Sequence, residues 1–294
     1  MKKILVPTDF SLAAHNAARY ALHLATDLQA NITLCNAMLV PAETPESGQV
    51  AWPLISYEDI KSDTDKQLQH ELKKLSKRLA EQSAFFPEGF RPELNTISEV
   101  GGATEVIMEA VDKQDISLVV MGMSGAGSLE RFFIGSNTRD LIAKAAFPVL
   151  LIPSEYVYQP IKKIAFATDL SKGDINVLHT LACFAKVFDA DIQINHITDT
   201  KYETGGDKYK ADAFMAELYK KVTYSKMHYH LIKSMDVDHG LNWLNEHGQV
   251  DLLAMVHRPH NFLTSLFAGS HTQRLARHVT LPLLVFPPEY GATI

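Results

Sequence analysis

Cysteine is scarce. Cys35 and Cys183 are the only two in 294 residues, both in apolar segments and without CxxC spacing, which argues against a disulfide framework and a thiolate metal site. A basic excess is lacking as well: 28 Lys and Arg stand against 34 Asp and Glu, a net charge of -6, whereas a nucleic-acid surface needs positive charge. No apolar run reaches the length of a membrane-crossing helix. The start, Met1-Lys2-Lys3-Ile4-Leu5-Val6-Pro7, has no apolar core or cleavage site of a secretory leader. These absences lead to the expectation of a cytoplasmic protein with neither nucleic acid nor membrane as partner.

What is present is a repeat. Lys2-Lys3-Ile4-Leu5-Val6-Pro7-Thr8-Asp9-Phe10-Ser11 returns, altered, as Lys162-Lys163-Ile164-Ala165-Phe166-Ala167-Thr168-Asp169-Leu170-Ser171, and such internal self-similarity sets the architecture. Each copy is a short apolar strand ending in Thr-Asp, followed by a serine placed to cap a helix. Helical spacing puts Ala17, Ala18, Ala21, Leu24, Ala25 and Leu28 on one inward stripe, and Leu178, Leu181, Ala182, Ala185 and Phe188 on the other. Second strands follow at Ile32 to Met38 and Ile192 to Thr198, then helices at Tyr57 to Gln82 and Tyr209 to Tyr224. Third strands (Glu93 to Val100, Met227 to Met235), helices (Thr104 to Lys113, Val237 to His247) and fourth strands (Leu118 to Met121, Leu252 to Met255) complete the alternation. Strands alternating with helices imply parallel pairing through right-handed crossovers. The spacing therefore predicts two tandem, doubly wound, five-stranded parallel α/β domains of Rossmann-like type, at residues 1–154 and 160–294, with a linker from Ser154 to Pro160. Pro41, Pro45, Gly48 and Pro53 mark an irregular surface loop in the first half that the second half has lost.

The stretch that carries chemistry begins at Leu118-Val119-Val120-Met121, four apolar residues bounded by glycine, the pattern of a strand buried on both faces. Gly122, Gly125 and Gly127 then let the backbone turn and bring amide N–H groups close to a ligand. Gly135 and Ser136 open the next helix, whose unpaired N–H groups and dipole favour an anion. No Gly-Lys-Ser/Thr closes the loop, so it is not a Walker motif, and it does not follow the first strand as a dinucleotide GxGxxG would. Arg131, between Glu130 and two phenylalanines, reads as a solvated residue rather than a phosphate clamp.

The spacing Gly-x2-Gly-x9-Gly-Ser, set between strand and helix late in the repeat, resembles the nucleotide motif of the ATP-binding branch of the universal stress protein family, and the likeness spans nearly the whole chain twice. The resemblance implies that Pro7, Thr8 and Asp9 lie beside the nucleoside, that the backbone at Ala37 and Met38 meets the adenine, and that Gly122, Gly125, Gly127, Gly135 and Ser136 surround ribose and phosphates. Asn137 and Thr138 would add donors on the helix turn. It further implies ATP with Mg²⁺ as ligand, an unidentified protein partner, a role in the stress response, and closing strands (Val149 to Ile152, Leu283 to Phe286) that pair to make an internal pseudo-dimer, with further homodimerisation open. On the residues alone the alternative for Asp9 is a turn residue feeding the Ser11 cap.

In the second half Gly269-Ser270 keeps the place of Gly135-Ser136, but Val256 replaces Gly122 and Pro259 replaces Gly125. Valine disfavours positive φ and proline removes a donor, so one nucleotide site is expected, in the first half. Asp169, His196, His257, His260 and His271 gather near the same strand ends, yet no HxxxH or HxH spacing joins them, and no metal site is assigned; His228 and His230 have HxH spacing but fall early in the third strand, at the opposite end of the sheet. Three function classes follow: a nucleotide-dependent switch or scaffold, a slow ATPase or phosphotransferase, and an interaction protein without nucleotide. No catalytic residue is assigned. A bulky residue at Gly125 separates them, because only the nucleotide-dependent classes lose function by it with the fold intact.

Overall fold

The computed structural model describes residues 2–39, 57–81, 90–123, 136–199, 207–234, 237–258, 280–292 and 294. The proline-bearing stretch at 41–53, Gly125, Gly127, Arg131 and Gly135, and in the second half Pro259, His260, Gly269, Ser270 and His271, lie outside these residues. The first half runs β1 (Lys3–Pro7), α1 (Leu12–Leu28), β2 (Asn31–Met38), α2 (Tyr57–Glu81), β3 (Leu94–Val100), α3 (Ala103–Gln114), β4 (Leu118–Met123), α4 (Ser136–Lys144) and β5 (Val149–Pro153). The second runs β6 (Lys163–Thr168), α5 (Asp174–Phe188), β7 (Asp191–Asp199), α6 (Asp207–Lys221), β8 (Met227–Ser234), α7 (Val237–His247), β9 (Leu252–Val256) and β10 (Leu283–Phe286).

Among the described residues ten strands form one sheet in the order β3-β2-β1-β4-β5-β10-β9-β6-β7-β8. Pairing within each half is parallel, and the strand order reverses beside β1 and β6, which is where such sheets open a crevice at their carboxyl ends. The halves meet where β5 and β10 pair antiparallel, Leu151 opposite Leu283, Leu150 opposite Leu284 and Val149 opposite Val285. This is the internal pseudo-dimer expected of the closing strands. Alternate side chains of these strands enter opposite cores: Leu150, Ile152, Leu284 and Phe286 join the one under α1, α2, α5 and α6, while Val149, Leu151, Leu283 and Val285 join the one under α3, α4 and α7. Both cores thus run through the seam, and separating the halves would expose apolar surface on both faces at about 25 cal/mol per Å².

The leucine stripe of α2 is buried at Leu68, Leu75 and Leu79, as its spacing predicts. Strand β4 departs from expectation by continuing through Gly122, opposite Ile152, and Met123, opposite Pro153. Pairing with β5 carries it two residues past the apolar run. The segment read as a linker is pinned at several points. Asn16 Nδ2 donates to the carbonyls of Pro153 and Tyr156, at 3.0 and 2.9 Å. Tyr158 donates its hydroxyl to Asp27 at 2.6 Å and stacks on His23. The chain end repeats this on the other half, where Thr180 Oγ1 donates to the Ala292 carbonyl at 2.8 Å and Pro287-Pro288-Glu289-Tyr290 echoes Pro153-Ser154-Glu155-Tyr156.

Candidate functional site

The first cleft is built on the turn from β1 to α1. Thr8 donates its backbone N–H to the Cys35 carbonyl, and Asn36 Nδ2 donates to the Thr8 carbonyl at 2.7 Å, so β2 fixes the strand end. Phe10 takes a left-handed φ of 62°, and the turn closes on side chains: Thr8 Oγ1 accepts from the Phe10 N–H and Asp9 Oδ1 from the Ser11 N–H, both at 3.0 Å. Ser11 Oγ then accepts from the Ala14 N–H at 3.2 Å, an N-cap on α1. Asp9 therefore does serve the turn, and its carboxylate is exposed. That is compatible with a second duty toward a ligand.

Above this turn lies a cavity of about 470 Å³. Of the residues proposed from sequence, Pro7, Thr8, Asp9, Ala37, Gly122, Ser136, Asn137 and Thr138 all line it. Met38 does not. It is 3% exposed, although it shares a face of β2 with Asn36, which does line the cavity. Gly125, Gly127 and Gly135 lie outside the described residues. Sequence reasoning did not assign Asn36, Met121, Ile107, Gly102 or Ala103 to the site, and they line it too. Gly102 caps α3 without a side-chain bond, so its first amides keep their donors, and the Gly101-Gly102 pair after the third strand was the signal available for it. The N-terminal ends of α1, α3 and α4 all border the cavity. Converging helix N-termini give a field that favours an anion, and the one charged side chain among the described lining residues is Asp9.

Gly122 is needed for a different reason than a sharp turn. A Cβ there would stand 2.4 Å from the backbone C and O of Ala13 and 2.9 Å from the N of Ala14, so glycine is what lets the end of β4 lie against the first turn of α1. In the second half Val256 holds the place of Gly122 and Gly173 that of Ala13, but α5 begins only at Asp174, and a Cβ on Gly173 would meet Glu289, 2.9 Å from its Cγ.

The second half builds the same turn. Leu170 has φ 63°, Thr168 Oγ1 accepts from the Leu170 N–H at 2.9 Å, and Asp169 Oδ1 accepts from the Ser171 N–H at 3.0 Å. His196 replaces Asn36 in function as well as place: its Nδ1–H donates to the Thr168 carbonyl at 3.1 Å. What differs is beneath the turn. Asp174, the counterpart of Ala14, is fully buried, accepts from Thr168 Oγ1 at 2.6 Å, and is paired with Arg258. Arg258 also reaches Asp169, Nη1 to Oδ1 at 3.0 Å. Burial pushes the Asp174 carboxyl up, against the pull of the Thr168 and Arg258 hydrogen bonds.

Elsewhere the described residues contain no group of three or more His, Cys, Asp or Glu able to hold a metal ion. A groove of about 690 Å³ along the outer face of α2 is lined by that helix alone, with Glu58, Asp65, Lys61 and Lys73 among its solvated charges. One helix presenting both signs to water makes no convergent site. Cys35, on the floor of the first cleft, has its thiol pushed up to about 12, by burial first and by Glu99 second, which makes it inert at neutral pH. No helix among the described residues is long and apolar enough to cross a membrane.

Comparison with known proteins agrees on one group. The model of the universal stress protein family matches residues 1–153 and again 160–287. A universal stress protein of Methanocaldococcus jannaschii is 30% identical over 151 residues, 51% of this chain and 81% of that one. Another, of Synechocystis, is 24% identical over 300 residues, 97% of this chain and all of that one (100%). The crystal structure of a universal stress protein from Archaeoglobus fulgidus superposes with a TM-score of 0.72 over 97% of this chain and 98% of its own, at 17% identity, which speaks for the fold.

Proposed function

This chain belongs to the universal stress protein family in tandem form, and on that premise we propose that its first half binds ATP, with Mg²⁺, and acts as a nucleotide-dependent switch or scaffold in the stress response. The observation that carries the reading is the first cleft itself: Pro7, Thr8, Asp9, Ala37, Gly122, Ser136, Asn137 and Thr138, drawn from four separate segments of sequence, meet on one cavity of about 470 Å³ bordered by helix N-termini. Its size suits a nucleotide, and its amide-rich rim suits phosphates. Adenine would lie toward Ala37 and the phosphates toward Ser136. Bound ATP, held between the end of β4 and the start of α4, would alter the surface shown to a protein partner. Phosphoryl transfer needs positive charge at the γ-phosphate and a group to orient the nucleophile; the described walls offer Asp9 and no Lys or Arg, which supports binding over turnover. A cytoplasmic site of action accords with a chain that has only two cysteines and no CxxC spacing.

The test is isothermal titration of ATP and Mg²⁺ into the purified protein, after a denatured sample has been analysed for retained nucleotide. One ATP per chain, bound or retained, is expected. Two would place a working site in the second half as well, and none by either route would sink the ATP reading.

A further inference from the structure

The second cleft holds a charge pair where the first has open volume. Asp174 stands in the place of Ala14 and Arg258 in that of Ser124, so two opposite charges appear together at aligned positions of the second half. Asp174 has none of its side chain exposed, and Arg258 has 19%. A carboxylate buried at the first turn of a helix, on the rim from which phosphate would be held, repels an anion. Left unpaired it would also be costly, and the guanidinium removes that cost by pairing with it. The bridge has a mechanical side. Asp169 and Asp174 belong to the turn between β6 and α5, Arg258 follows the end of β9, and the guanidinium bonds to both acids at once. Thr168 adds its hydroxyl hydrogen to Asp174; Ala14 offers its counterpart Thr8 no acceptor.

We propose that Arg258 is a built-in occupant of the second cleft: it ties the β9 end to the β6–α5 turn, as a ligand held between them would in the first half, and with Asp174 it reserves this cleft against nucleotide. Only the comparison with bound nucleotide rests on the ATP reading of the first half. The bridge itself does not.

Amide hydrogen exchange on the full chain tests it, with wild type, R258A and D174A/R258A, each with and without ATP and Mg²⁺. Without nucleotide, R258A should speed exchange across residues 168–175 on the order of tenfold or more, as expected when a buried pair is broken locally, and leave 8–15 unchanged. The double variant should recover part of that protection, because no carboxylate is then stranded. Equal exchange in R258A and wild type would overturn the bridge. Should R258A fail to fold, folding of D174A/R258A supports the proposal, and failure of the double variant where D174A alone folds refutes it. In wild type, added ATP should protect 8–15 and not 168–175; protection of both turns would refute the exclusion. If ATP protects neither, the ATP reading fails while the R258A result, obtained without nucleotide, still judges the bridge.

Discussion

The β1–α1 and β6–α5 turns share their bonds down to the residue: threonine accepting from the second amide after it, aspartate accepting from the serine amide, a left-handed residue between at φ 62° and 63°. A donor from the neighbouring strand, Asn36 or His196, holds the threonine carbonyl in each. Beneath that common turn the halves diverge, one leaving a cavity and the other a buried ion pair. The turn is therefore common to both halves whatever lies under it. Thr-Asp-x-Ser alone does not distinguish the half with the cavity from the half with the ion pair.

The contact between the β4 end and α1 offers the sharpest way to break this comparison. Gly122→Val should clash with the Ala13 backbone and cost about 3 kcal/mol, read as a fall in the urea midpoint, and ATP binding should go with it. In the second half Val256→Gly should cost about 2 kcal/mol through a void and leave ATP stoichiometry alone. An unchanged midpoint in Gly122→Val would show that close approach is not why glycine stands there. A smaller effect concerns the strand-end donors. Asn36→Leu and His196→Leu each strip a threonine carbonyl of its partner, for about 1–2 kcal/mol. Titration should show weaker ATP binding for Asn36→Leu only, since Asn36 lines the cleft. Equal losses of affinity in both would erase the difference drawn between the halves.

The smallest effect is one of pH. His23 in the first half and His257 in the second are held below their ordinary 6.5, chiefly by burial. The unfolded chain then takes up these protons first. The stability tied to each neutral ring is fully present above pH 6.5 and is lost as pH falls from there through the folded value. Unfolding midpoints should drop between pH 7.5 and 5.5, and His23→Gln or His257→Gln should each flatten part of that slope. A slope unaltered by both substitutions would assign the loss to other groups.

Much of the fold was legible in the sequence because its signals are periodic. The alanine stripe of α1 and the leucines of α2 repeat at helical spacing, and the doubling of Lys-Lys-Ile through Asp-x-Ser announced the second half. The site was legible where it sits on strand ends and glycines. It was less so where geometry, rather than residue type, decides. Met38 and Ala37 are adjacent in sequence, yet only Ala37 lines the cleft. Gly122 was read as freedom to turn, whereas it answers to the backbone of a helix more than a hundred positions earlier. Arg258 pairs with acids 84 and 89 positions away, and a lone arginine after a strand carries no mark of that. The mark was relational: Asp174 and Arg258 are charged where their counterparts Ala14 and Ser124 are not.

The antiparallel seam of β5 and β10 has one more consequence, for what variation the molecule tolerates. Two identical chains joined at such a seam would carry every substitution twice, so an arginine that filled one cleft would fill both, and the assembly would lose its ligand. Covalent fusion lifts that constraint. It also makes the joining of the halves independent of protein concentration, since each half meets its partner at the high effective concentration of a short tether. A single chain with Leu283 opposite Leu151 can therefore keep a cavity at one end of its sheet and an ion pair at the other.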